Sequence, residues 1–309
     1  MKRPDSFTAR RAYKTILSFM RSGLRTARIP LQLRTLRKYR DAGLPREVQP
    51  ALSYLITGQL GKDGRAVASR VEELRDGLAR RGSLPVAEYT RTLDPEADPR
   101  DVPGVGQKSF AQIAERVSVP QSFGLFLYLC ASGFKARRIL ELGSCAGISG
   151  CYLASTPSCV EFVTIERSRT LTDIARDNLS HVSPNATVIN ADFDRGLSAV
   201  LGPETAPFDV VWIDGNHEKE ATLRYFRCLR RYVSPGGLIL FDDIGWRPEM
   251  GEAWDEIRSW PGFSITLNVS RLGMAILRKE SRPDEEPPQN WQLKRRLGIW
   301  NLEREAQPL

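Results

Sequence analysis

Between residues 137 and 279, short apolar runs alternate with amphipathic stretches. The runs RRILELG (137–143), EFVTIE (161–166), ATVINAD (186–192), FDVVWIDG (208–215), LILFDDI (238–244), FSITLNV (263–269) and GMAILRK (273–279) are rich in Val, Ile, Leu and Phe. Gly, Pro, Asn, Asp or Ser bound them, so each predicts a strand. The stretches RTLTDIARDNLSHV, EKEATLRYFRCLRRYV and GEAWDEIRSW carry apolar residues at helical spacing. Strands alternating with helices predict an α/β fold: a Rossmann-like, mostly parallel seven-stranded sheet with helices on both faces. Ligands of such sheets bind at the carboxyl ends of the strands, near the point where strand order reverses.

The pattern divides the chain into three regions. Residues 1–100 read as a basic N-terminal arm and a helical accessory region, with helices over LPREVQPALSYLI and GRAVASRVEELRDGLARRG. Residues 101–280 hold the α/β pattern. Residues 281–309 open with SRPDEEPPQ and read as a flexible tail. In the arm, Tyr13, Ile16, Leu17, Met20, Leu24 and Ala27 share one helical face, beside a second face of Arg10, Lys14, Arg21, Arg25 and Arg28. Two readings of that helix stand: it packs on its own domain with a solvated rim, or it rests on an anionic membrane surface or a partner.

Charge refines this picture. The chain of 309 residues carries a net +8, but residues 1–40 hold twelve Lys and Arg against Asp5 alone, which leaves a balance of −3 elsewhere. A nucleic-acid enzyme is disfavoured, because its active face needs a positive stripe. The five cysteines are odd in number and form no C-x-x-C pair, which argues against a disulfide framework and for a reducing, cytoplasmic setting. The longest apolar runs, such as LFLYLCA at 125–131, are too short to span a bilayer.

The chemistry begins at ILELGSCAGISG (139–150). A strand ends at Glu141, and Gly143 and Gly147 flank a turn that contains Ser144. A nicotinamide-binding loop would need a glycine where Cys145 stands, and no P-loop Lys-Ser/Thr pair follows. The turn suits a nucleoside without phosphates, or a glycine used only for packing. Glu166 closes the second strand, where an acid can accept hydrogen bonds from both ribose hydroxyls; Asp192 closes the third, near the place of an adenine. Cys145 and Cys151 read as small packing residues. Trp246 and Trp254 either line an acceptor pocket or belong to the core.

Taken together, ELGSCAGIS, TIERS, NAD, FDVVWIDGNHEKE and SPGGLILFDDI resemble the class I S-adenosylmethionine-dependent methyltransferases, over about residues 105–280. More narrowly, they are similar to the small-molecule O-methyltransferase branch that includes catechol O-methyltransferase and antibiotic-sugar methyltransferases. The resemblance implies that Glu141, Gly143, Ser144, Gly147, Glu166 and Asp192 bind S-adenosylmethionine. It also implies that KSFAQIAERVSVPQSFGLFLYL helps cover the cofactor.

Asp214, His217, Asp242 and Asp243 form the last constellation. Adjacent parallel strands lie about 4.8 Å apart, so these strand-end carboxylates can converge on a hard cation such as Mg²⁺, or cap helices and solvate loops. Metal-dependent members of the branch carry an acid at the place of Asp214 and an Asp-Asn pair at that of Asp242 and Asp243; here the pair is Asp-Asp. The resulting expectation is O-methylation of a small-molecule hydroxyl, with His217, as base, and Asp214 as catalytic residues and Asp214, Asp242 and Asp243 as metal ligands. Two other functions stay open: an RNA or protein methyltransferase using the basic arm, and a non-catalytic cofactor-binding module docked to a membrane or partner through residues 1–40. Homo-oligomer formation is also open.

Overall fold

The computed structural model describes residues 37, 38, 41, 43–82, 85–87, 107–280, 288–296 and 299–305. The helix expected over 13–27 lies outside them. The two accessory helices are present as α1 (Gln49–Thr57) and α2 (Lys62–Arg80). A short antiparallel ribbon, β1 (Pro85–Ala87) with β2 (Gln107–Ser109), leads to a short helix (Phe110–Gln112) capped by Ser109, which continues as a π-helical turn (Ile113–Val117), and then to α3 (Gln121–Gly133).

The seven expected strands all form: β3 (Arg138–Leu142), β4 (Glu161–Glu166), β5 (Ala186–Asn190), β6 (Phe208–Ile213), β7 (Val233–Phe241), β8 (Phe263–Val269) and β9 (Leu272–Leu277). Between them run α4 (Ile148–Ala154), α5 (Arg169–Ser180), α6 (Phe193–Val200), α7 (Lys219–Leu229) and α8 (Pro248–Arg258). The sheet nevertheless has nine strands, in the order β11-β10-β8-β9-β7-β6-β3-β4-β5. The added pair is β10 (Gln289–Arg296) and β11 (Ile299–Arg304), drawn from the stretch expected to be a flexible tail. The physical reason is burial. Trp291 and Leu293 are 8% and 1% exposed, and β10 pairs in parallel with β8, Leu267 facing Trp291 in register.

Residues β3 to β7 pair in parallel, whereas β9 runs antiparallel to both β7 and β8. The central strands are continuous apolar runs because both faces are covered. Ile139, Val210 and Leu238 face one core with α1 to α5, while Leu140, Val211 and Ile239 face another with α6 to α8. The accessory helices thus share a core with the sheet. Tyr152 of α4 also donates its hydroxyl to Glu72 of α2 at 2.8 Å, and Arg75 donates to the carbonyl of Ala114 at 2.8 Å. Among the described residues no helix is long and apolar enough to cross a membrane.

Candidate active site

Strand order reverses between β3 and β6, and a row of backbone hydrogen bonds continues past the strand ends there. The N–H of Gly143 donates to Ile165 at 3.0 Å, that of Asp214 to Leu142 at 2.9 Å, that of Asp242 to Ile213 at 2.9 Å, and that of Ile244 to Arg271 at 3.1 Å. Each loop is therefore held by a backbone carbonyl of its neighbour. The loops from β3, β6 and β7 and the β8–β9 turn lie side by side.

The turn after β3 needs glycine. Gly143 has φ +94°, and a Cβ there would stand 2.0 Å from the carbonyl oxygen of Asp214. Gly147, at φ +82°, lies against the backbone of Ala175. Asn178 donates to the carbonyl of Ala146 at 2.8 Å and fixes the turn to α5. Cys145, Asn216 and Asp243 also have positive φ, at 47°, 61° and 53°. Backbone of this kind persists only where its surroundings over-determine it.

Glu141 is fully buried, its Oε2 accepting from Thr164 at 2.7 Å. Burial, against hydrogen bonds from Ser149 and Thr164, pushes its carboxyl up to about 7. Its Oε1 and the Oγ of Ser144 are buried without a hydrogen-bond partner among the described residues. Glu166 accepts from the N–H of Cys145 at 2.9 Å and from that of Ser168 at 2.8 Å. Burial outweighs these bonds and raises it to about 7 as well. A turn with no room for a Cβ at Gly143 or Gly147, two unpaired buried oxygens and an acid at the next strand end fit a polar ligand such as S-adenosylmethionine. Asp192 caps α6, accepting from Arg195 N–H at 2.8 Å. Burial pushes the thiols of Cys145 and Cys151 upward, which agrees with packing residues that are not reactive.

At the next two strand ends the expected constellation assembles with one added member. His217 Nε2 lies 3.6 Å from Asp214 Oδ1 and 3.9 Å from Asp243 Oδ2. Arg271, from the β8–β9 turn, donates Nε to Asp242 Oδ1 at 2.7 Å and Nη2 to Asp242 Oδ2, and that same Nη2 lies 2.8 Å from Asp243 Oδ1. Burial, together with Asp242, raises the carboxyl of Asp214. Burial lowers the imidazole of His217 even though Asp243 and Asp242 oppose it. Trp246 is 57% exposed and meets His217 edge to face at 5.5 Å, while Trp254 is buried in the core.

The residues do not fit the divalent ion that the sequence leads one to expect. Both oxygens of Asp242 and one of Asp243 already hold a guanidinium. An ion with ligands at about 2.0–2.1 Å would have to sit against that fixed positive charge. Among the described residues, no group of three or more His, Cys, Asp or Glu is arranged to hold a metal ion.

Comparison with known proteins agrees with the fold. A family model described as a methyltransferase domain matches residues 140–244. A catechol O-methyltransferase of Mycobacterium tuberculosis is 31% identical over 132 residues, which is 42% of this chain and 58% of that one. One from Niastella koreensis is 29% identical over 134 residues, 41% of this chain and 58% of that one. The chain thus spans less than two thirds of the length of the curated relatives it matches. Among solved structures, the O-methyltransferase from Bacillus cereus in complex with SAH aligns with a TM-score of 0.50 and 21% identity, covering 68% of this chain and 91% of that one. Residues 140–244 are thus similar to a methyltransferase domain, and they lie within a Rossmann-like α/β sheet.

Proposed function

We propose that this chain is an S-adenosylmethionine-dependent O-methyltransferase acting on a hydroxyl of a small molecule. The observation that carries the reading is the tie between Glu166 and the Cys145 N–H. It sets a ribose-binding acid against a glycine turn one strand away from His217. Similarity to the catechol O-methyltransferases of M. tuberculosis and N. koreensis and to the O-methyltransferase of B. cereus supports the same chemistry.

S-adenosylmethionine supplies an electrophilic methyl group when bound. Gly143, Ser144 and Gly147 would hold its methionine part, Glu166 its ribose and Asp192 the neighbourhood of its adenine. His217 takes the proton of the acceptor hydroxyl at Nε2, the nitrogen that faces Asp214 and Asp243. With its pKa lowered by burial it is neutral at pH 7 and able to accept. Asp243 then stabilises the imidazolium. No step is assigned to a divalent ion, since the residues do not fit one.

Titration calorimetry with S-adenosylmethionine and its demethylated product tests the reading, followed by mass spectrometry of products formed from host extract and labelled cofactor. Cofactor binding with transfer of the label to oxygen is the expected result. A wild-type chain that binds neither compound overturns it.

A further inference from the structure

We infer that Arg271 is the built-in cation of the acceptor site, holding with a guanidinium the position between the strand-end carboxylates that a divalent ion would otherwise take. The position of Arg271 is fixed by backbone. It sits in the two-residue turn between β8 and β9, closed by the pairing of Val269 with Leu272, and Ser270 beside it has φ 59°. Its carbonyl accepts the N–H of Ile244, so the turn is fastened to the loop that carries Asp242 and Asp243. Because β9 lies antiparallel against β7, with Gly273 opposite Phe241, the turn must fall beside those two acids.

The side chain completes the argument. Nε and Nη2 grip Asp242, which is 4% exposed, and Nη2 also reaches Asp243. A planar guanidinium matches a carboxylate bidentately and keeps its charge at any working pH. One fixed positive charge thus bridges two adjacent carboxylates, Asp242 and Asp243, that would otherwise repel one another. The two N–H donors of Nη1 make no hydrogen bond to a described residue, and 39% of the side chain is exposed. They are available to an oxygen that gains negative charge as it loses its proton, the same service that a Lewis acid would give. This last role rests on the methyl-transfer reading; the occupancy of the cation position does not.

The test uses the full chain and Mn²⁺ as the probe, with free ion followed by electron paramagnetic resonance. The wild type should leave Mn²⁺ free, and neither Mn²⁺ nor EDTA should move its melting temperature. Arg271→Ala should melt several degrees lower and bind Mn²⁺ about 10–100-fold more tightly than the wild type, the scale on which neighbours alter a metal site, with the ion restoring part of the lost stability. Arg271→Lys keeps a charge and should behave nearer the wild type. Micromolar Mn²⁺ binding by the wild type, abolished by Asp242→Asn, would overturn the inference without the need for any Arg271 variant. So would an Arg271→Ala chain that folds and binds Mn²⁺ no better than the wild type. Failure to bind S-adenosylmethionine would sink the proposed activity alone, leaving the Mn²⁺ results to be read on their own.

Discussion

The carboxylate of Glu166 receives the backbone N–H of Cys145 at 2.9 Å, which binds the end of β4 to the turn that follows β3. Two strands therefore present one continuous polar surface. Removing the Glu166 carboxylate therefore acts on both strand ends.

Glu166→Ala should weaken S-adenosylmethionine binding by about 1.5–3 kcal/mol, the scale of hydrogen bonds to a charged group. Because Cys145 and Ser168 lose their acceptor too, Glu166→Gln is the companion variant, keeping one acceptor oxygen. Calorimetry that finds both variants equal to the wild type would remove Glu166 from the cofactor site.

Gly143→Ala should destabilise the chain by at least about 2 kcal/mol, since it combines a positive φ with steric overlap. The added carbon would meet the Asp214 carbonyl, so the damage should reach the loop of His217 and abolish cofactor binding together with stability. Thermal melts and calorimetry report the two losses separately. Normal values for both would mean that the turn is more pliant than its contacts imply.

Glu141 makes stability depend on pH. Its carboxyl is raised from 4.5 to about 7 by burial, so the folded chain binds more protons than the unfolded chain between those values. Stability is then fully present below pH 4.5 and lost as pH rises through 7. Glu141→Gln removes the cost of ionising a buried group. Its melting temperature should exceed that of the wild type at pH 8 and approach it at pH 4. Parallel curves at the two pH values would contradict the assignment.

His217→Ala should lower turnover by about 10²–10⁴, the usual range for acid–base catalysis, with cofactor affinity unchanged. The imidazole must be neutral to accept a proton, and its pKa is lowered. In the wild type the acidic limb of kcat/KM should therefore lie below the ordinary histidine value of about 6.5. His181, exposed at the end of α5, is the control. An acidic limb at or above pH 7 would point to another base.

Removing residues 281–309 should uncover the edge of β8 and the apolar contacts of Trp291 and Leu293. An open edge pairs readily with other chains. Light scattering should show aggregation that the full chain lacks; a monodisperse truncated chain would mean that β10 and β11 are dispensable for the sheet.

Much of this was legible in the sequence. Runs such as ILEL and FDVVWI are apolar on both faces, which leaves few structures open to them, and all seven expected strands form. Gly143, Glu166, Asp214 and His217 lie at strand ends, where local pattern alone could place them. The rest depended on pairing. WQLKRR and IWNLER mix charge with isolated large apolar residues, so nothing local marks β10 and β11 as sheet. The alternation of Trp291 and Leu293 was the available signal. Arg271 stands 29 residues from the Asp242 it grips, in an ordinary-looking turn, NVSRLG. Only the antiparallel insertion of β9 between β7 and β8 brings it there. Asp192, placed correctly at a strand end, has the capping role that any such acid can adopt.

The position of β3 has a kinetic consequence. It is held by β4 on one side, close along the chain, and by β6 on the other, where the N–H groups of Arg137 and Arg138 bind Asp209 across 72 and 71 residues. Closing so long a loop costs entropy before any pairing rewards it. By that cost, the strand that carries the glycine turn should be gripped on both flanks only late in folding. Gly143 finds the Asp214 carbonyl beside it no earlier than that closure. A cofactor that needs both loops can select only molecules whose sheet is already joined through its middle, so its binding doubles as a check that the fold has been completed.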